Sequence, residues 1–197
     1  MTTRRVKYNV TYGIMSTPKE PSVSGEYSKT QARRVVTGLD AEGRSCIVSD
    51  GVTPDRLVTP GNTKCDLWRI ATIPTSYQDG DGIDEVVTLP PPAGLVYRIA
   101  SFPPDTDWDR SQGYGDSKGA LAGSVPLSES GGIPGMHFTE TVDIMTVLSG
   151  ELWAITETGE TVLRAGDTLV QRGTAHAWSN RTSEPATIVS VMIAAGP

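Results

Sequence analysis

"VDIMTVLSGELWAITETGETVLRAGDTLVQRGTAHAWSN", residues 142–180, is a succession of short apolar runs. VDIMTVLSG closes on Gly150, ELWAITETG on Gly159, ETVLRAGD on the Gly166–Asp167 pair and TLVQRG on Gly173, before AHAWSN. Each run has the length and the β-branched or aromatic content of a strand, and each break carries a turn residue. ATIVSVMIAA, which follows at residue 186, is apolar enough for a central strand. Short strands at even spacing predict an antiparallel barrel or sandwich. No βαβ spacing and no long amphipathic helix occurs, and the glycine patterns that cradle phosphates or dinucleotides are missing.

Upstream, GLVYRIASFPP predicts a strand from about 95 to 102, and CDLWRIATIP another over 65–72, stopped by Pro74. ARRVVTGLDAEGRSCIVSDG predicts two strands about an Asp-Ala-Glu-Gly turn. Residues 1–33 show little periodicity and are expected to form an arm, ordered only where it lies against another surface. The rest, 34–197, is expected as one domain, with N-terminal strands over 34–102, a long loop over 103–135 and the core over 130–194. Loops of that length are often lids or rims of sites.

The 197 residues suffice for one buried core. With 21 glycines and 14 prolines the chain is turn-rich without a fibrous period. Its net charge of −6 and scattered basic residues disfavour nucleic acid as a partner. No apolar run is long enough to span a membrane, and MTTRRVKYNV lacks the apolar stretch of a signal peptide, so a cytoplasmic location is expected. In that compartment Cys46 and Cys65 are expected as free thiols.

There are two histidines, His137 in HFTETVD and His176 in GTAHAWSN. His137, Thr139 and Asp143 share parity, so a continuous strand would turn them to one face. Glu140 has the opposite parity, but an irregularity between 140 and 142 would swing it inward. Met136 and Met145 are expected as packing residues, and Asn180 as a turn residue.

Around these histidines the chain resembles the cupin superfamily. In the first cupin motif, His137 matches the first histidine, Thr139 takes the place of the second, Asp143 that of the glutamate, and Gly150 is the closing glycine. Gly131 and Gly132 stand loosely for the leading one. In the second motif Gly166, Gly173, His176 and Asn180 match, with Gln171 in place of the proline. The resemblance implies an all-β double-stranded β-helix barrel (a jelly roll), extended by extra N-terminal strands, with a pocket at one open end. It also implies a divalent metal (Zn, Fe, Mn or Ni), held by His137, His176 and Asp143, with positions left open for substrate. Glu140, Asp143 and His176 are then the candidate acid–base groups. Thr139, Gln171, Trp178 and Tyr97 are the candidate substrate contacts. Thr139 would hydrogen-bond a bound water or a substrate carbonyl. Trp153 and Trp178 either line the pocket or fill the core, and one of Tyr97 and Arg98 reaches the rim.

The expected function is that of a metal-dependent lyase or isomerase (dehydratase, decarboxylase or cyclase-like). It would act on a small oxygenated acid or polyketide-like metabolite of secondary metabolism. Two alternatives stand beside it: a non-haem iron dioxygenase, and a metal-free small-molecule-binding protein. The extra strands predict a homodimer, because exposed sheet edges need cover.

Overall fold

The computed structural model describes residues 25–80, 89–110, 125–126 and 133–196. Residues 1–24 of the expected arm and most of the expected 103–135 loop lie outside the described residues.

Thirteen strands form three antiparallel sheets among the described residues. A hairpin of β1 (Arg33–Leu39) and β2 (Ser45–Val52) stands alone. Its turn is the Asp-Ala-Glu-Gly turn expected from the sequence. Gly43 adopts φ 79, and Asp40 Oδ1 accepts the amides of Glu42 and Arg44. The six-stranded sheet contains β3 (Arg56–Thr59), β4 (Asn62–Ile70), β5 (Leu95–Phe102), β8 (Thr141–Ser149), β11 (Thr168–Arg172) and β13 (Ala186–Ala194). Its spatial order is β11-β8-β13-β5-β4-β3. The five-stranded sheet contains β6 (Val125–Pro126), β7 (His137–Phe138), β9 (Glu151–Thr156), β10 (Glu160–Arg164) and β12 (His176–Ser179), in the order β10-β9-β12-β7-β6.

From β7 onward the chain alternates between the two larger sheets: β7 lies in the five-stranded sheet, β8 in the six-stranded one, β9 and β10 in the five, then β11, β12 and β13 in turn. This arrangement resembles a cupin or jelly roll. The sheets do not join into the closed barrel that the resemblance implied: the described strands end in two separate sheets.

The turns explain the alternation. Gly150 alone separates β8 from β9 and adopts φ 75. A Cβ there would also meet the Pro185 carbonyl oxygen at 2.7 Å, so only glycine fits. The core between the sheets follows from strand parity. Met145 and Val147 of β8, Ala100 and Phe102 of β5, and Ala186 and Ile188 of β13 face Leu152, Ala154 and Leu163 of β9 and β10. Asn180, fully buried, locks the end of β12. Its Nδ2 donates to the carbonyls of Phe102 and Glu184 at 3.1 and 2.8 Å, and its Oδ1 accepts from Thr182. It is therefore the turn residue the sequence suggested.

The structure refines three readings made from the sequence. The strand expected over 65–72 runs over 62–70, because Thr59 and Asn62 close a hairpin at Pro60–Gly61 with β3, which was not anticipated. The HFTETVD stretch is not one strand: β7 ends at Phe138 and β8 begins at Thr141. The chain therefore leaves the five-stranded sheet and enters the six-stranded one in between. Finally, residues 25–32 lie against the larger sheet. Tyr27 is buried with its hydroxyl donating to the Thr59 and Pro60 carbonyls, and Ala32 packs on Cys65, Leu67 and Ile99. Both cysteines are free.

Candidate functional site

A cavity opens between the two large sheets. The five-stranded sheet contributes His137, His176 and Trp178, and the six-stranded sheet Asn62, Lys64, Arg98, Asp143 and Met192. The cavity holds about 100 Å³ and opens to solvent.

His137 and His176 are cross-strand partners in the β7–β12 pairing. Their ring centroids are 4.3 Å apart. Each ring donates from Nδ1 to the carbonyl two residues earlier, Gly135 and Thr174, both at 2.8 Å. A carbonyl can only accept, so Nδ1 carries the proton and Nε2 is left as the acceptor nitrogen. Burial lowers the pKa of both. For His137 the Gly135 carbonyl opposes the shift and the Lys64 charge adds to it. His176 is pushed down to about 4, by burial first and by His137 second. Two neutral imidazoles at neutral pH are therefore the resting state. Trp178 meets His176 edge-on, with centroids 5.4 Å apart.

Opposite them, Asp143 on β8 is buried with an oxygen, Oδ1, that has no hydrogen-bond partner among the described residues. Burial raises its pKa to about 6, opposed by the Thr141 hydroxyl and the Arg98 charge. Thr139, also buried, shares a hydrogen bond with Thr141 at 2.9 Å. Arg98 enters the cavity wall but is held by Asp66 through Nε–Oδ1 and Nη2–Oδ2 contacts of 2.9 and 3.1 Å.

The structure brings together His137, Thr139, Asp143, His176 and Trp178 of the expected site residues. It separates the others. Glu140 is exposed, because the break between β7 and β8 does not turn its side chain inward. Tyr97 is 38% exposed, because its parity on β5 is opposite to that of Arg98, which takes the inward place. Gln171 is buried but lies outside the cavity lining, its Nε2 donating to the Thr174 carbonyl and hydroxyl across the Gly173 turn. Trp153 packs with Met136, Ile155 and Ala177 on the far side of its sheet. Lys64 and Asn62 went unrecognised in the sequence, since the strand expected there began only at residue 65.

The side chains do not fit the metal set that the resemblance implied. Among the described residues, no group of three or more His, Cys, Asp or Glu side chains could hold a metal ion. Asp143 stands on the other sheet, across the cavity from the two imidazoles. The position of a second motif histidine holds a threonine hydroxyl already paired to Thr141. Two cationic side chains, Lys64 and Arg98, share the same space.

No known protein-family profile matches the chain. Among curated proteins it is similar to phomopsin biosynthesis cluster protein C' of Diaporthe leptostromiformis. That match is 47% identical over 53 residues, 26% of this chain and 28% of that protein. It is also similar to oryzines biosynthesis cluster protein J of Aspergillus oryzae, 34% identical over 99 residues, 44% of this chain and 54% of that protein. The matches thus span between about a quarter and a half of the curated relatives. A solved structure, the cupin 2 conserved barrel domain protein from Salinispora arenicola, is 14% identical, with a TM-score of 0.39 over 71% of this chain and 81% of that one.

Proposed function

We propose that this protein binds a small oxygenated organic molecule with an apolar portion, and does so without a metal. The observation that carries this reading is the two-sided wall of one cavity. Lys64, Arg98, His137, Thr139, Asp143 and His176 supply hydrogen-bonding and charged groups at one part. Ala100, Phe102, Met145 and Ile188 supply an apolar wall at another. The relatives named for biosynthesis clusters support a secondary metabolite as the ligand. A metal-free acid–base enzyme, a lyase or isomerase, is the second reading. It is favoured by Asp143, whose raised pKa lets it hold or release a proton near neutrality.

The test uses octanoate, whose carboxylate suits the cationic groups and whose chain suits the apolar wall. After treatment with a chelator, calorimetry is expected to show binding. Lys64→Met should weaken it about tenfold, the loss of a hydrogen bond to a charged group. A near-stoichiometric divalent metal in the untreated protein, removed by both His137→Ala and His176→Ala, would overturn the metal-free reading.

The reading extends to a cytoplasmic homodimer. Among the described residues no helix is long and apolar enough to cross a membrane. Val35, Leu39, Ile47 and Val52 of the β1–β2 hairpin are exposed, as are Ile144, Leu148 and Val170 of β8 and β11. Exposed apolar area of this extent calls for a cover. Light scattering is expected to give twice the chain mass, and Ile144→Lys with Val170→Lys to halve it. A monomeric parent protein would reject the dimer.

A further inference from the structure

Among the described residues Lys64 is the only lysine in the cavity wall; the chain's other lysines are Lys7, Lys19, Lys29 and Lys118. It lies on β4, paired with Ala100 of β5 and two residues from Asp66. Side chains at 64 and 66 share a face, but Asp66 is taken up by Arg98 in a bidentate pair. No hydrogen bond or ion pair holds the Lys64 amine among the described residues. A lysine in the wall of a cleft, without a carboxylate of its own, is placed to react rather than to brace. Its neighbours complete the chemistry: Asp143, whose Oδ1 is unpartnered, and the neutral imidazoles of His137 and His176 line the same space.

Resting on the reading of this cavity as a small-molecule site, we propose that Lys64 is a covalent attachment point. Its amine would condense with the carbonyl carbon of an aldehyde or ketone bearing an apolar chain, giving an imine.

The nitrogen lone pair adds to the carbonyl carbon, and the C=O π pair moves to oxygen. One amine proton passes to that oxygen, giving a carbinolamine. The C–O bond then breaks as the C=N bond forms. The oxygen leaves as water, carrying the second amine proton. Both transfers need a group that can take a proton and return it, and Asp143 lies on the same wall for that purpose. The apolar wall of Ala100, Phe102, Met145 and Ile188 would receive the chain of the carbonyl compound. Burial, reinforced by the Arg98 charge and opposed by Asp66, brings the Lys64 amine down to about 7. A substantial neutral fraction therefore exists at physiological pH.

The full chain is incubated at pH 7 with 2-oxooctanoate or with octanal, reduced with sodium cyanoborohydride, and mapped by peptide mass spectrometry. Lys64 is expected to be labelled at least about tenfold faster than Lys29, which stands on the surface in an ion pair with Glu26. Lys64→Arg, which keeps the charge, should show no adduct in the cavity while its thermal melt persists. Lys64→Met serves as a second variant should the arginine disturb folding. Labelling of Lys64 no faster than of Lys29 with both carbonyl compounds would overturn the proposal. Octanoate binding in the wild type without a Lys64 adduct rejects the imine and leaves the cavity reading standing. Loss of both rejects both.

Discussion

Asp66→Asn is expected to lower the stability of the protein by about 3–5 kcal/mol, the largest effect of any single side-chain change at the site. Asp66 is fully buried and Arg98 nearly so, with side-chain exposures of 0% and 5%. The guanidinium meets the carboxylate through two parallel contacts, 2.9 and 3.1 Å, the geometry in which such pairs are strongest. The backbone around Asp66 is fixed as well: its amide donates to the Asp55 carbonyl, and its own carbonyl accepts the Thr53 hydroxyl at 2.7 Å. The amide variant therefore cannot move away. It leaves the guanidinium charge in a poorly solvated place without its counter-charge, and that desolvation is what the loss measures. The double change Asp66→Leu with Arg98→Met should cost far less, because it removes both charges together. Urea denaturation of the two variants and the parent distinguishes these outcomes. Equal losses in the single and double variants would show that packing, and not the charge, sets the cost.

Asp143→Asn is expected to do the opposite and stabilise the protein by about 2–3 kcal/mol above pH 6. Asp143 has a folded-state pKa of about 6 against the ordinary 3.8. Between those values the folded protein holds a proton that the unfolded chain has released. Stability from this group therefore falls as pH rises from about 4 to 6, and the folded protein carries the full penalty beyond. The asparagine variant has no carboxylate to ionise, so it escapes the penalty. Towards pH 4 the two proteins converge. His176 works in the reverse sense. Its pKa is depressed from 6.5 to about 4, so the unfolded chain takes up a proton first as the pH falls, and stability is lost across that window. In the wild type these two trends oppose one another between about pH 4 and 6 and leave a shallow profile. In Asp143→Asn only the histidine trend remains, and stability should drop steeply towards acid. Denaturant-derived stability of both proteins from pH 4 to 8 provides the check. Parallel profiles, or no gain for the variant at pH 7, would show that the Asp143 carboxylate is not penalised by burial.

These two effects bear on function. The ion pair holds one wall of the cavity, while the strained carboxylate sits in the other part of the same wall. A group that costs stability and lines a cleft is where a chemical role is sought first. Its neighbours are two histidines that burial keeps neutral and a lysine that has no hydrogen bond or ion pair among the described residues.

The strands and turns were written in local sequence. The runs after residue 142 became β8 to β13 because each had strand length and each break carried Gly, Asp or Asn, and the strand expected over 95–102 is β5. The motif spacing around His137 and His176 was legible too, because both sit on short strands that pair directly. What parity could not show is which sheet a strand joins and what stands across from it. HFTETVD breaks at Thr139–Glu140 because the chain changes sheets there, so Asp143 ended opposite the histidines and Glu140 in solvent. Arg98 instead of Tyr97 faces inward because its partner Asp66 lies on the adjacent strand, 32 residues away in sequence. Lys64 became a cavity residue because the β3–β4 hairpin carried β4 three residues further upstream than its apolar run implied. Sequence alone therefore determined a strand-rich chain with its two histidines in separate, strand-flanked stretches. Tertiary structure alone decided that these histidines face a lysine and a penalised carboxylate and do not gather into a ligand set, because contacts between residues distant in the chain follow from strand pairing, which no local pattern encodes.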